Sequence, residues 1–155
     1  MRLALSVVLA ALIANPALAA GARQTGTVIM PTDPKQRELQ EDWGFADAVI
    51  AGDTVYLSGV VVGVGPKETD LTAGFTRAFE RMGDTLKRAG VTWDDVVDMT
   101  SYHTDLTTQL PAMTAVKKKY LASPPPAWTA IGISRLVPDR GIAEIKLVAK
   151  LPAKK

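Results

Sequence analysis

Apolar residues follow two different periods along this chain. Between Asp70 and Ala89, Leu71, Phe75, Ala78, Phe79, Met82, Leu86 and Ala89 recur at spacings of three and four. That spacing predicts an amphipathic helix with one face on a core. Thr69 or Asp70 is placed to cap its start, and Gly90 to stop it in a left-handed conformation. A period of two governs the rest. Asp47–Ala51 and Thr54–Ser58 flank the turn pair Gly52-Asp53 and predict a β-hairpin, with the Gly- and Val-rich run Gly59–Gly65 extending its second strand. Val96–His103 alternates as a strand. Thr107 or Thr108 then opens a second helix, with Pro111 near its first turn, and Ser123-Pro124-Pro125-Pro126 ends it. Ala127–Arg135 and Ile142–Leu151 predict two further strands about a turn at Pro138–Gly141. Residues 20–44 carry no sustained period and read as an extended or partly ordered lead-in to a single domain over 45–152.

The predicted order is β-β-α-β-α-β-β. It implies an α/β chain of the α+β kind, a two-layer sandwich with both helices on one face of a mixed sheet. In the last strand, Ala143, Ile145, Leu147 and Ala149 form an apolar row, while Glu144 and Lys146 point the other way. In the strand before it, Ile131 and Ile133 are expected under the helices, with Trp128, Ala130, Gly132 and Ser134 on the opposite face. No helix remains to cover that mixed face, which predicts burial against another copy of the chain.

The N-terminus changes the picture of where this domain works. Met1-Arg2 is basic, Leu3–Ala14 is almost wholly apolar, Pro16 breaks the run, and Ala17-Leu18-Ala19 offers small residues for cleavage. This is the pattern of a secretory signal over 1–19, too short to span a bilayer at about 20 residues per helix. A periplasmic or secreted protein is expected, with no membrane attachment once the signal is cut. The sequence holds no cysteine, so export brings no disulfides and stability must come from the core or from oligomerisation. A formal net charge of +2, from 18 basic and 16 acidic residues, does not suggest a nucleic-acid partner. The one basic run in the domain, Lys117-Lys118-Lys119, falls late in the second helix, where cations complement the helix dipole and face solvent.

Chemical motifs are few. His103 is the only histidine and has no cluster of partners from which to build a metal site. An acid–base pair of His103 with Asp105 is conceivable from spacing alone. Gly63-Val64-Gly65 lacks the third glycine of a dinucleotide loop, and Ser58-Gly59 lacks the Gly-x-Ser-x-Gly of a nucleophile elbow.

Several phrases together resemble one family. Phe45–Gly59 (FADAVIAGDTVYLSG), Leu86–Val97 (LKRAGVTWDDVV), Tyr102–Leu106 (YHTDL) and Pro124–Ala149 (PPPAWTAIGISRLVPDRGIAEIKLVA) run colinearly with the signatures of the reactive-intermediate deaminase (RidA/YjgF) family. The resemblance implies a chorismate-mutase-like fold and a homotrimer with three clefts between subunits. It also implies hydrolysis of enamines and imines derived from amino acids, without metal or organic cofactor. In that chemistry a guanidinium grips the substrate carboxylate through paired hydrogen bonds while a carboxyl group positions water.

This chain departs from the pattern. The motif arginine falls on Trp128, the aromatic hydroxyl of the opening hairpin on Phe45, and the helix-start asparagine on Met113. An indole has one N–H and cannot clamp a carboxylate. Thr129 keeps the hydroxyl after the motif position, Ala130 replaces a frequent cysteine, and Glu144 keeps the acidic residue of the last strand. The resemblance makes Asp105 a shaper of the strand-to-helix turn. Glu144 is then a catalytic candidate for orienting water, unless it is spent on Lys146, Arg135 or a neighbouring subunit. Trp128, Thr129, Ala130, Phe45, Met113 and Arg135 are ligand-binding candidates. Trp128 reads equally as a stacking platform, a plug or interface packing. Two functions follow: a small-molecule-binding trimer without the usual deaminase mechanism, or an enamine/imine hydrolase releasing ammonia and a keto acid, with Arg135 or Arg140 as a relocated carboxylate anchor.

Overall fold

Apolar residues at helical spacing bury where the sequence places them. In the computed structural model, which describes residues 21–153, Phe75, Phe79, Met82 and Leu86 of helix Leu71–Arg88 are at most 1% exposed. Each contributes about 1.5–3 kcal/mol by leaving water. The segment read as a secretory signal lies outside the described residues.

In chain order the elements are α1 (Ala22–Thr25), β1 (Thr27–Ile29), α2 (Pro34–Trp43), β2 (Ala48–Ala51), β3 (Thr54–Leu57) and β4 (Val60–Gly63). There follow α3 (Leu71–Arg88), β5 (Val96–His103), α4 (Leu106–Tyr120), β6 (Ala127–Gly132) and β7 (Gly141–Lys150). The strands form one mixed sheet in the order β1-β2-β3-β7-β5-β6, with β4 also paired to β7. Among the described residues only β5 and β6 run parallel. α3 and α4 lie together on one face, over the fully buried row Ala143, Ile145, Leu147 and Ala149 of β7. The α+β sandwich expected from the periodicity is the fold observed.

β3 and β4 share the same edge of β7 but are not one continuous strand. Tyr56 faces Val148 and Val60 faces Ile145, so four steps on one strand pass three on the other. The extra residue is a bulge at Ser58-Gly59. It turns Val60 and Val62 back onto the core side, where both are buried.

α3 and α4 each start on a capping aspartate. Asp70 accepts from Thr72 N–H, and Asp105 accepts from the N–H groups of Thr107 and Thr108. Neither Thr107 nor Thr108 is the cap; a carboxylate one turn earlier takes the orphan amides. Helix α4 therefore starts earlier than expected, and Pro111 lies inside it rather than in its first turn. At the other end of α3, Gly90 adopts φ 78°, the left-handed stop.

The segment expected as an extended or partly ordered lead-in holds, within residues 21–44, α1, β1 and the ten-residue helix α2. No apolar period announced α2 because it does not dock by an apolar stripe; its only buried residue is Gln40. Local signals build it: Asp33 caps Gln36 N–H, Pro34 opens it, and Gly44 closes it at φ 71°. A polar clasp fastens it. Arg88 of α3 donates to Met30 O and to Asp47 Oδ2, both at 2.6 Å, and Asp47 Oδ1 accepts from Gln40 Nε2 at 2.8 Å.

Arg88→Met is expected to loosen this clasp first. Stability should fall by about 2–3 kcal/mol, less than the ~3–5 kcal/mol lost on breaking a fully buried pair, because the guanidinium is partly exposed. Hydrogen exchange should show Thr27–Ile29 and α2 opening ahead of β7; uniform loss across the sheet would contradict the clasp.

Candidate functional site

The sheet face away from the helices is uncovered and carries a cleft of about 530 Å³. Its polar lining is Tyr56, Ser58, Tyr102, Glu144 and Lys146. Strand parity gathers these groups: Glu144 and Lys146 alternate outward on β7, Tyr102 pairs directly opposite Glu144, and Tyr56 points outward from β3. Val49, Ile133 and Leu136 supply apolar wall.

The bulge decides where the carboxylate rests. A Cβ built on Gly59 would fall inside the Glu144 carboxyl group, so the side chain lies directly against the glycine main chain. Glu144 forms no ion pair among the described residues. Its carboxylate is thus positioned by backbone shape and left free for a ligand or a water. Ser58 is fixed beside it by donating to Ala46 O at 2.6 Å. Phe45, 43% exposed, lines a neighbouring trough of about 480 Å³ that shares Val49 and Ser58 with the cleft.

Trp128 is elsewhere. β6 pairs with β5 in the register Met99↔Trp128, Ser101↔Ala130 and His103↔Gly132. Trp128, Ala130 and Gly132 therefore point to the helix side, and Thr129, Ile131 and Ile133 to the open face. This reverses the facing expected for β6. Alternation fixes which residues share a face but not which face it is, and β6 is an edge strand, where apolar Ile131 can stand 40% exposed. Trp128 donates its indole N–H to Ser101 Oγ at 2.9 Å, and the Lys117 ammonium lies 4.1 Å from the ring centroid. Lys117 accordingly does not simply face solvent as its neighbours do. Burial, and then nearby Lys118, holds its amine below the usual lysine range, while the indole face favours the charged form.

Beneath Trp128 the polar groups are buried. Ser101 and His103 have no exposed surface and Gln109 is 4% exposed. His103 pairs with Ser101 Oγ at 3.0 Å and with Gln109 Oε1 at 3.2 Å. Asp105 is not its partner; that carboxylate is held below the usual range first by the Thr108 hydroxyl and then by the amide of Thr108. Among the described residues no group of three or more His, Cys, Asp and Glu is placed to hold a metal ion.

The candidates thus divide. Glu144 and Phe45 belong to the open face, with Thr129 farther along it. Trp128 and Ala130 belong to the helix side of the edge strand. Met113 is fully buried in the core, with the contacts of a filler and no access to a ligand. Arg135 lies on the exposed loop after β6, paired with Asp139 at 2.6 Å, and Arg140 is exposed on the same loop. Tyr56, Tyr102 and Lys146 were not singled out. For Tyr56 and Tyr102 the signal is parity with Glu144 across paired strands, which requires the register; Lys146 shares β7 with Glu144, and its facing follows from the period of two alone.

Among known proteins, a family profile described as "Endoribonuclease L-PSP" matches residues 35–151. The RutC family protein YjgH of Escherichia coli is 34% identical over 130 residues, covering 81% of this chain and 95% of that protein. A 2-iminobutanoate/2-iminopropanoate deaminase of Dermatophagoides farinae is 29% identical over 109 residues, covering 67% and 83%. The solved structure of protein YjgH superposes with a TM-score of 0.70 at 33% identity, over 83% of this chain and 98% of that one.

Two measurements address the geometry. Burial pushes His103 below its usual 6.5, against a smaller opposing pull from Gln109. The unfolded chain thus takes up this proton near pH 6.5 and the folded chain only at lower pH. Its contribution to stability is complete above that value and declines as the pH drops through it toward the folded pKa. Urea midpoints at about pH 7.5 and pH 5 should show a larger acid loss for the natural protein than for His103→Gln; equal losses would exclude a buried neutral imidazole. Gly59→Ala should cost at most about 1 kcal/mol, because the colliding group is the end of a flexible side chain. It should nevertheless shift the Glu144 carboxyl carbon resonance, and an unchanged resonance would mean that the glycine does not seat it.

Proposed function

Since this chain belongs to the YjgF/RidA family, we propose that it is an exported, self-associating protein that binds a small molecule in clefts between its copies, without the guanidinium-clamped imine hydrolysis typical of the family. One observation carries the reading. Glu144, Ser58 and Phe45 occupy the open face, whereas Trp128 and Ala130 occupy the helix side of the edge strand, so one copy cannot bring both sets to one ligand. A second copy seated against the open face can. The homotrimer is the closed arrangement proposed for it, in which each of the three clefts takes one half from each of two neighbouring copies.

The chemistry of the two halves supports a binding role. At the position of the motif arginine, the indole N–H is already spent on Ser101. The remaining surface offers an aromatic ring, an exposed strand edge and an unpaired carboxylate. That combination suits a planar, largely apolar ligand with a hydrogen-bond donor for Glu144.

A second reading has its own support. Lys146 lines the same cleft as Glu144, and a deaminase is among the relatives. An enamine/imine deaminase with a relocated anchor would hold the substrate carboxylate on a cation while Glu144 positions water. Lys146 is better placed for this than Arg135, whose guanidinium is paired with Asp139, or than Arg140 on the same loop.

Light scattering on the purified protein should give the mass of three chains. Ile131→Glu should break that assembly while leaving the single copy folded, since Ile131 is already exposed there; a monodisperse monomer of the natural protein would remove the shared cleft. Enamine hydrolysis, with the imine generated by an amino-acid oxidase, is expected to proceed at the uncatalysed rate. Acceleration lost in both Glu144→Gln and Lys146→Met would instead establish the second reading. Export predicts a mature product beginning near Ala20, readable by intact mass.

A further inference from the structure

Trp128 is held by a chain of hydrogen bonds that has one consistent direction. At one end an indole N–H can only donate; at the other the Ile142 carbonyl can only accept. Between them, Trp128 Nε1–H donates to Ser101 Oγ and Ser101 pairs with His103 Nε2. His103 Nδ1 pairs with Gln109 Oε1, Gln109 Nε2 donates to Thr104 Oγ1 at 3.0 Å, and the Thr104 hydroxyl donates to Ile142 O at 2.9 Å.

The two ends assign every hydrogen between them. Thr104 spends its hydrogen on Ile142 and so accepts from the Gln109 amide. That turns Gln109 Oε1 toward His103, whose Nδ1 therefore carries a hydrogen. Nε2 is left to accept from the Ser101 hydroxyl, and Ser101 Oγ is left to accept from the indole. A neutral His103 completes the chain. An imidazolium brings one hydrogen too many: Nε2–H would point at Ser101 Oγ, and the serine hydrogen, in a residue with no exposed surface, would lose its acceptor.

We infer that His103 is a positioning residue for Trp128, acting through Ser101, and that protonating it releases the indole from the orientation it holds at the edge strand. Among the described residues, no charged group is hydrogen-bonded or ion-paired to the ring to oppose this. α3 presents Phe75, with centroids 6.3 Å apart, β7 presents Ala143, β6 presents Gly132 and α4 presents Gln109. The nearby charges are engaged otherwise: Asp105 caps α4 and Lys117 lies over the indole. Only the consequence for a ligand, weaker binding as the medium acidifies, rests on the reading of Trp128 as a wall of the cleft.

The lock can be tested without any ligand, so it can fail while the binding role stands, and the reverse. In ¹⁵N-labelled protein the chain gives three indole N–H resonances, from Trp43, Trp93 and Trp128; Trp128→Phe assigns the last. Lowering the pH from about 7.5 to about 5 should move the Trp128 resonance along one curve, with a midpoint below 6.5 shared by the His103 ring protons. Trp43 and Trp93 should not follow. His103→Gln should abolish the movement, and so should Ser101→Ala, which removes one hydroxyl and keeps the fold if the histidine variant does not. An imidazole that titrates while Trp128 stays still, or a Trp128 curve that survives Ser101→Ala, would overturn the inference.

Discussion

Every other strand takes its sidedness from β7. Its ten residues alternate between a row with no exposed surface, Ala143 to Ala149, and an outward row headed by Glu144 and Lys146. Three strands pair directly with it, β3, β4 and β5, and each inherits that division through its register. A slip of one residue would exchange the rows and put Glu144 under α3. Burying that carboxylate without a partner costs far more than a strand pairing returns. The alternation is thus enforced from both sides, by apolar burial on one face and by the charge on the other.

The bulge at Ser58-Gly59 breaks this regularity at the point where the cleft acquires its shape. An extra residue in β3–β4 lets a glycine lie under the Glu144 side chain, so the carboxylate is seated by main chain rather than by a countercharge. A carboxylate held without a salt bridge keeps its acceptor capacity for something else. On the other side of the sheet the logic is opposite. Trp128 has its single donor satisfied by Ser101 and its ring covered by a lysine, and the polar groups behind it are paired in sequence. One half of the proposed cleft is open and unspent, and the other is rigid and pre-satisfied.

The legibility of the site followed the same division. Glu144 could be assigned to the exposed face because β7 has a strong apolar row to alternate against. Trp128 could not, because β6 mixes Trp128, Thr129, Ala130, Ile131 and Gly132 with no such row, and a period of two has no sign until a partner strand supplies it. Parallel pairing with β5 supplied it, and reversed the expectation. Met113 was matched to a ligand position by motif alignment, but one turn of helix geometry puts it in the core. The ladder from Trp128 to Ile142 joins residues that no sequence spacing connects.

What the sequence determined by itself was whatever depends on near neighbours. The long amphipathic helix, the aspartate- and glycine-marked ends of α3, the hairpin about Gly52-Asp53, the apolar row of β7 and the α+β order all arise from contacts within a few residues, where period and turn chemistry speak directly. The tertiary structure decided what depends on distant partners. It recruited the lead-in as β1 and α2 through Arg88, a residue 41 positions from Asp47. It chose the face of β6, inserted the bulge that seats Glu144, and set Trp128 over a buried histidine. The physical reason is that a hydrogen bond or a strand register is a relation between two segments, and neither segment alone carries the information that fixes it.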